Sequence, residues 1–257
     1  MIGETLRVKK EFDVSDDIWK IYRLMYRENL PDDFPIIEKG RKHIEAVFKN
    51  GERSSAKKLY FSGDTDINFT NGFAHSRLKC YKDLICQKMN NEKDKTRYLK
   101  SLDIIEKLTY SIVNVSLIPQ SGNLQSVKQG IGNDRIDTFI WALAEYYAGN
   151  SCLLFNHSAY GTLDYLKDYL SLFESVYDYC KVIYHIDNPL LVDDMIESGK
   201  YAVDSPKRVI ELMKLASGFW QQKYRYLYDK SLEDNQIEIQ KALEKVNIEI
   251  EKLRFEN

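Results

Sequence analysis

Apolar side chains recur with helical spacing near the beginning of the chain, in residues 13–31, "DVSDDIWKIYRLMYRENLP". Ser15 is a preferred helix N-cap residue, and the two acids that follow it suit the positive end of a helix. Residues three and four positions apart share one helical face. The apolar residues with this spacing are Ile18, Ile21, Tyr22 and Met25. The pattern predicts an amphipathic helix that Ser15 caps.

Residues 43–73 have a different pattern, in which short β-prone stretches flank Asn50-Gly51 and Asn71-Gly72. Asn-Gly pairs supply the positive φ angles that tight hairpin turns require. We therefore predict a small antiparallel sheet in this part of the chain.

Most of the remaining pattern is helical, with one further strand. Residues 76–89 and 95–108 predict two helices separated by the polar stretch "NNEKDK". Residues 110–119, "YSIVNVSLIP", alternate strongly and weakly apolar side chains and end in proline, which predicts a strand. Helical spacing then dominates from residue 160 onward.

Proline after a capping side chain marks two later helix starts, at Asn188-Pro189 and Ser205-Pro206. No internal repeat or long linker divides the chain. The fold prediction is a single α+β domain over residues 1–257, mainly helical. It has a small antiparallel β-sheet in the N-terminal half and a helical C-terminal half.

The last segment, residues 231–257, is predicted to be an amphipathic helix with a heptad seam of about two heptads. The seam residues are Ile239, Leu243, Val246, Ile250 and Leu253. Two alternatives stay open for this helix. It packs on its own domain, or it binds a protein partner or a second copy of the chain through residues 232–257.

Composition narrows the function classes. Charged residues make up 30% of the 257 residues, but the net charge is only −2, which gives no electrostatic argument for nucleic acid or anionic membranes. Neither a signal peptide nor a run long enough to span a bilayer is recognised, so we expect a soluble, cytoplasmic protein. The cysteines form no CxxC pair and are predicted to be buried free thiols: Cys80, Cys86, Cys152 and Cys180.

No spacing of the four histidines is typical of a metal site, and no metal is predicted. No local Ser-His-Asp or Cys-His signature is present either. The sequence therefore assigns no catalytic residue and no cofactor.

Residues 129–147, "QGIGNDRIDTFIWALAEYY", combine a glycine-containing loop with the start of a helix. Asp134 stands where an N-cap belongs, and Asp137 follows in the capping-box position. In the structural interpretation, these acids only satisfy the free N–H groups of the first helical turn. The apolar face behind them comprises Ile136, Phe139, Ile140, Leu143 and Tyr147.

The functional interpretation starts from the order strand, loop, helix. Glycines let the backbone approach a ligand closely, and a helix N-terminus favours an anion. Lys128 and Arg135 supply charge-assisted hydrogen bonds to phosphate or carboxylate. The loop lacks the phosphate-binding pattern G-x-x-x-x-G-K-[ST]. The predicted ligand-binding residues are Gly122, Asn123, Lys128, Gly130, Gly132, Asn133, Asp134, Arg135 and Asp137.

Three segments resemble an uncharacterised bacterial family of hypothetical proteins: "LYFSGDTDINF", "SIVNVSLIPQSGNLQSVKQGIGNDRIDTFIWALAEYY" and "YDYCKVIYHIDN". The resemblance covers about half of the chain. Family members share a strand ending in an aliphatic residue and proline, a polar loop, and an Asn…Asp-Arg-x-Asp helix start that leads to a Tyr-Tyr pair. The matching positions are Ile118-Pro119, Asn133, Asp134, Arg135, Asp137 and Tyr146-Tyr147.

The family carries no activity that can be transferred. The resemblance implies that the Asp134-Arg135-x-Asp137 start has a role beyond capping. The chain departs from the family pattern at Ser111, where members tend to have a Gly-Gly pair.

Two further motifs are typical of binding sites. Asp64 and Asp66 form a D-x-D motif that suits Mg²⁺ on a strand, with a polar turn as the alternative. Residues 223–230, "KYRYLYDK", interleave bases and tyrosines as in single-strand binding sites, with a core-facing helix as the alternative.

The sequence thus supports two hypotheses of different classes. The first is a small-ligand or nucleotide-binding protein, with an enzyme acting on a phosphorylated substrate as one form of it. Its anion site lies at loop 120–133 and the start of helix 134–147. The second is a non-enzymatic interaction protein that works through the C-terminal heptad helix.

Overall fold

A sheet and a larger set of helices make up the described residues, and the predicted mainly helical α+β fold is confirmed. The computed structural model describes residues 15–26, 36–39, 43–49, 56–69, 75–119, 124, 128, 135–150, 154, 167, 169–253 and 255. Its strands are β1 (Ile36–Lys39), β2 (His43–Lys49), β3 (Ala56–Thr65) and β4 (Val115–Pro119). Its helices are α1 (Asp16–Tyr26), α2 (His75–Lys88), α3 (Glu92–Leu108), α4 (Ile136–Tyr147), α5 (Val176–Tyr184), α6 (Pro189–Gly199), α7 (Pro206–Glu233) and α8 (Ile237–Glu251).

The sheet has the order β1-β2-β3-β4, and each neighbouring pair is antiparallel. The first Asn-Gly pair lies between β2 and β3, where a hairpin was predicted, although residues 50–55 are outside the described part of the chain. The second pair does not join two strands, because the next described element after β3 is α2. β4 pairs with β3 only after α2 and α3, with Asp64 opposite Ser116.

The predicted helix starts are confirmed where a side chain caps them. The Ser15 hydroxyl accepts a hydrogen bond from the Ile18 N–H, and Asn188 and Ser205 cap α6 and α7 in the same way. α3 begins at Glu92, earlier than predicted, because the Asn91 side chain accepts from two N–H groups of the first turn.

β4 is shorter than predicted and is buried along its whole length. Alternation of strongly and weakly apolar side chains predicts a strand with one exposed face. Here the residues on both faces of β4 are buried, and this includes Ser116. The sheet edge therefore lies inside the protein rather than at its surface.

The apolar seam of the C-terminal helix packs within the chain. Ile239, Leu243, Val246 and Ile250 are buried in α8, which lies against α3 and α7. The helix starts at Ile237, and residues 231–233 belong to α7. Binding of a protein partner by residues 232–257 stays a prediction, and it now concerns only the face of α8 that points away from α3 and α7.

The thiols depart from their prediction. Cys180 is buried in α5, as expected, whereas Cys80 and Cys86 are free but exposed, because they lie on the solvent face of α2. Cys152 is outside the described residues. Among the described helices, none is long and apolar enough to cross a membrane.

α4 and α6 approach each other closely at Gly199. A Cβ atom there would lie 2.3 Å from the backbone oxygen of Asp137 and 2.9 Å from the Cβ of Trp141. Backbone cannot move aside as a flexible side chain can, so only glycine fits this crossing. The close approach brings the end of α6 against the first turn of α4.

We expect Gly199→Ala to lower the free energy of unfolding by about 1–3 kcal/mol, because it forces the two helices apart. Gly218→Ala is the matched control. Its new Cβ would meet only the Leu191 side chain, at 3.2 Å, and alanine favours the helix by about 1 kcal/mol. Urea unfolding of both variants tests the crossing. Equal stabilities would show that α4 and α6 are not held at this distance.

Candidate ligand-binding site

Arg135 and Asp137 form an ion pair at the start of α4. The Arg135 guanidinium donates from Nε to Asp137 Oδ1 at 3.0 Å and from Nη2 to Oδ2 at 2.5 Å. Further bonds run from Nη1 to the Tyr201 carbonyl and from Nη2 to the Ser198 carbonyl, at 2.8 and 3.2 Å. The Ser198 hydroxyl also donates to Asp137. The pair joins α4 to the end of α6.

This geometry changes the expected role of the two acids. The N-cap of α4 is Arg135, which makes no side-chain cap bond, and not Asp134. Asp137 uses its carboxylate for the Arg135 and Ser198 side chains, because α6 packs directly above it. The capping-box prediction is therefore wrong for this helix start.

Lys128, the second predicted anion ligand, is also held by an acid. Its ammonium donates to Asp64 Oδ2 at 2.7 Å and to the Thr65 carbonyl at 2.5 Å. The Lys128 side chain is 1% exposed. The D-x-D motif thus supplies a carboxylate to a buried lysine at the end of β3.

The predicted site is only partly within the described residues. Gly122, Asn123, Gly130, Gly132, Asn133 and Asp134 lie outside them. Lys128 and Arg135 each bind a different internal carboxylate. Anion binding at loop 120–133 stays a prediction.

Asp66, the second acid of the D-x-D motif, pairs with Lys223 of α7. The Lys223 ammonium donates to Asp66 Oδ2, the Val115 carbonyl and the Ser116 hydroxyl at 2.5, 2.6 and 2.7 Å. All three of its N–H donors have acceptors, and the side chain is fully buried. Burial lowers the pKa of Lys223, although Asp66 opposes that shift.

Asn114 completes this buried polar layer. Its side-chain oxygen accepts from the Ile67 N–H and from Trp220 Nε1, and its amide donates to the carbonyls of Ile67 and Thr109. The amide makes the four hydrogen bonds that an asparagine side chain can make. The D-x-D motif of Asp64 and Asp66 is therefore neither a polar turn nor an open pair of carboxylates. It is the acidic half of a buried network.

A cavity of about 490 Å³ opens on the side of α7 next to Lys223. Two walls form it, one from α5 and the residues after it, the other from one face of α7. The lining residues are Lys181, Val182, His185 and Asp187 on the first wall, and Gln222, Arg225, Tyr226 and Asp229 on the second. A volume of this size suits a small molecule.

His185 forms a buried part of this lining. Its ring stacks on Tyr226 with centroids 3.9 Å apart and an interplanar angle of 2°. The ring atom Nε2 has no hydrogen-bond partner among the described residues. Burial, and to a smaller degree the positive charge of Lys223, holds the pKa of His185 well below its ordinary value. The ring is therefore neutral at pH 7.

The backbone also singles out His185. It caps the C-terminal end of α5 at φ 55°, a left-handed conformation for which glycine or asparagine is the usual choice. The Ile186 N–H closes the cap on the Cys180 carbonyl at 3.1 Å. Non-glycine residues in strained conformations cluster at functional sites.

Four charged side chains line the same cavity: Lys181, Asp187, Arg225 and Asp229. Within the described part of the chain, none of the four forms an ion pair or a side-chain hydrogen bond. The cavity therefore presents both signs of charge to a ligand. Among the described residues, no group of three acids, cysteines or histidines could hold a metal ion.

Sequence reasoning missed the cavity residues. A signal was nevertheless present, because "KYRYLYDK" contains Arg225, Tyr226 and Asp229, and "YDYCKVIYHIDN" contains Lys181 and His185. The first stretch is helical, as its alternative interpretation predicted, with Leu227 buried. That the two stretches face each other is a tertiary fact.

We expect Arg135→Ala to lower the free energy of unfolding by about 3–5 kcal/mol, because it leaves the buried Asp137 carboxylate without its counter-charge. Arg208→Ala serves as the control. Arg208 binds Glu211 at 2.8 Å with both side chains about one-third exposed, where such pairs contribute about 0–1 kcal/mol. Urea unfolding compares the two. If both variants lose similar free energies of unfolding, the pair of Arg135 and Asp137 contributes no more than an exposed ion pair does.

A second prediction concerns how the stability of the protein depends on pH through His185. The unfolded chain binds a proton on His185 below about pH 6.5, which the folded protein does not bind. The free energy of unfolding therefore falls as pH drops below about 6.5, and this group does not affect it at higher pH.

His185→Asn keeps a residue that tolerates positive φ but removes the titration. Between pH 8 and pH 5 the unmodified protein should lose more of its free energy of unfolding than the variant loses. Urea unfolding at both pH values measures the difference. Parallel pH profiles would show that His185 is protonated in the folded state.

Comparisons with known proteins give no family assignment for this chain. No protein-family model matches the chain, and neither a curated protein nor a solved structure matches it.

Proposed function

We propose that the protein binds a small polar molecule in the cavity between α5 and α7. The observation that carries the proposal is a cavity of about 490 Å³ lined by four charged side chains, none of which has an ion-pair partner among the described residues. A ligand that enters the cavity can form charge-assisted hydrogen bonds with these side chains without breaking a contact inside the protein.

The surroundings of His185 support the same function. Tyr226 fixes the ring plane by stacking, and its hydroxyl donates to the Met25 carbonyl at 3.1 Å, so it is itself held in place. A site held by such second contacts is preorganised, which reduces the entropy lost on binding. The polar groups of Gln222 and Arg225 stand on the facing helix.

This proposal keeps the class predicted from the sequence, small-ligand binding, and moves the site. Lys128 and Arg135 each neutralise a buried carboxylate, and a ligand that captured them would leave Asp64 or Asp137 without its partner. Lys181 and Arg225 have no such internal partner among the described residues. They can bind a ligand at no cost to the core.

The test is thermal unfolding against free amino acids, carboxylic acids, sugar phosphates and nucleotides, with and without Mg²⁺. A ligand at 100 times its dissociation constant should add about 2.7 kcal/mol to the free energy of unfolding. We expect Arg225→Ala and His185→Asn to abolish that shift, because each removes a group that lines the cavity.

Lys214→Ala is the control, since Lys214 is an exposed lysine on α7 that does not line the cavity. It should leave the shift unchanged. A shift that persists in Arg225→Ala places the ligand elsewhere and overturns the cavity site. A panel without any stabilising compound counts against ligand binding altogether.

A further inference from the structure

Two of the four charged side chains of the cavity, those of Arg225 and Asp229, lie on α7 and do not form the ion pair that their spacing favours. On α7, neighbouring charges readily form ion pairs, such as Arg208 with Glu211 and Lys230 with Glu233, each at 2.8 Å. Arg225 and Asp229 are spaced four residues apart, a spacing at which opposite charges normally meet. They nevertheless form no pair within the described chain.

The same arrangement occurs on the opposite wall. Lys181 lies on α5 and Asp187 follows the buried His185, and neither has an ion-pair partner among the described residues. Each wall thus offers one cation and one carboxylate. The four charges sum to zero, so the cavity has no net preference for an anion over a cation.

A ligand of a single charge uses only half of these groups. A phosphate or carboxylate would bind Lys181 and Arg225 but would also face two carboxylates. An amine would meet the reverse problem. A molecule with both charges satisfies both sets by charge-assisted hydrogen bonds, which are stronger than neutral ones.

We propose that the ligand is a small zwitterion of the amino-acid type. Its carboxylate binds Lys181 and Arg225, and its ammonium binds Asp187 and Asp229. This assignment rests on the proposed function of the cavity and adds the chemical class of the ligand.

The experiment measures dissociation constants by calorimetry for each of the twenty free amino acids. Every amino acid that binds is compared with its matched amine and its matched carboxylic acid, which for phenylalanine are phenethylamine and 3-phenylpropanoate. Inorganic phosphate and a nucleoside monophosphate are included as anions. We expect at least one amino acid to bind about tenfold more tightly than both of its analogues, because each analogue lacks one charged contact.

Two variants separate the charges. Asp229→Asn should weaken binding of the amino acid about tenfold and leave the carboxylic acid unaffected, whereas Arg225→Gln should weaken both. Lys214→Ala, on the same helix outside the cavity, should change neither.

The outcomes distinguish the two proposals. If a carboxylic acid or phosphate binds as tightly as every amino acid and Arg225→Gln abolishes its binding, the zwitterion assignment is overturned and the cavity site stands. If no compound of any class binds, both proposals fail. Equal effects of Asp229→Asn on the amino acid and on its carboxylic acid also overturn the assignment.

Discussion

The buried ion pair between Lys223 and Asp66 is the interaction on which the arrangement of sheet and helices depends. It ties the middle of α7 to the residue that follows β3 and to Val115 and Ser116 of β4. Removing one partner of such a pair costs about 3–5 kcal/mol, since the other charge stays buried. α7 therefore has little freedom to slide or rotate on the sheet edge.

That restraint reaches the cavity through helical geometry. Lys223 points to the core, while Gln222, Arg225 and Tyr226, within one turn of it, line the cavity. A rotation of α7 that exposed Lys223 would also carry these side chains away from His185. The buried pair thus sets the position of one cavity wall, and the positive charge of Lys223 helps to keep the His185 ring neutral.

Charged side chains serve two different purposes in this protein. At the C-terminal end of β3 and at the start of α4, buried lysine or arginine side chains bind carboxylates inside the chain, so these groups hold elements together. In the cavity the charges lie at the surface and stay open. Only the second group is available to a ligand without loss of an internal contact, which is why the proposed site lies between α5 and α7 rather than at loop 120–133.

Local signals in the sequence were sufficient for the mainly helical α+β fold, for the caps at Ser15, Asn188 and Ser205, and for the apolar seam of α8, although not for where that seam packs. Each of these depends on residues within about two turns of one another. The pairing of Asp66 with Lys223 joins positions 157 residues apart, and no local period reports such a contact. In the same way, no local period reports that Lys181 and His185 line one cavity with Arg225. The sequence already contained every group of the site, but which acids neutralise lysines and which charges stay open follows only from how α7 packs against β4 and α5.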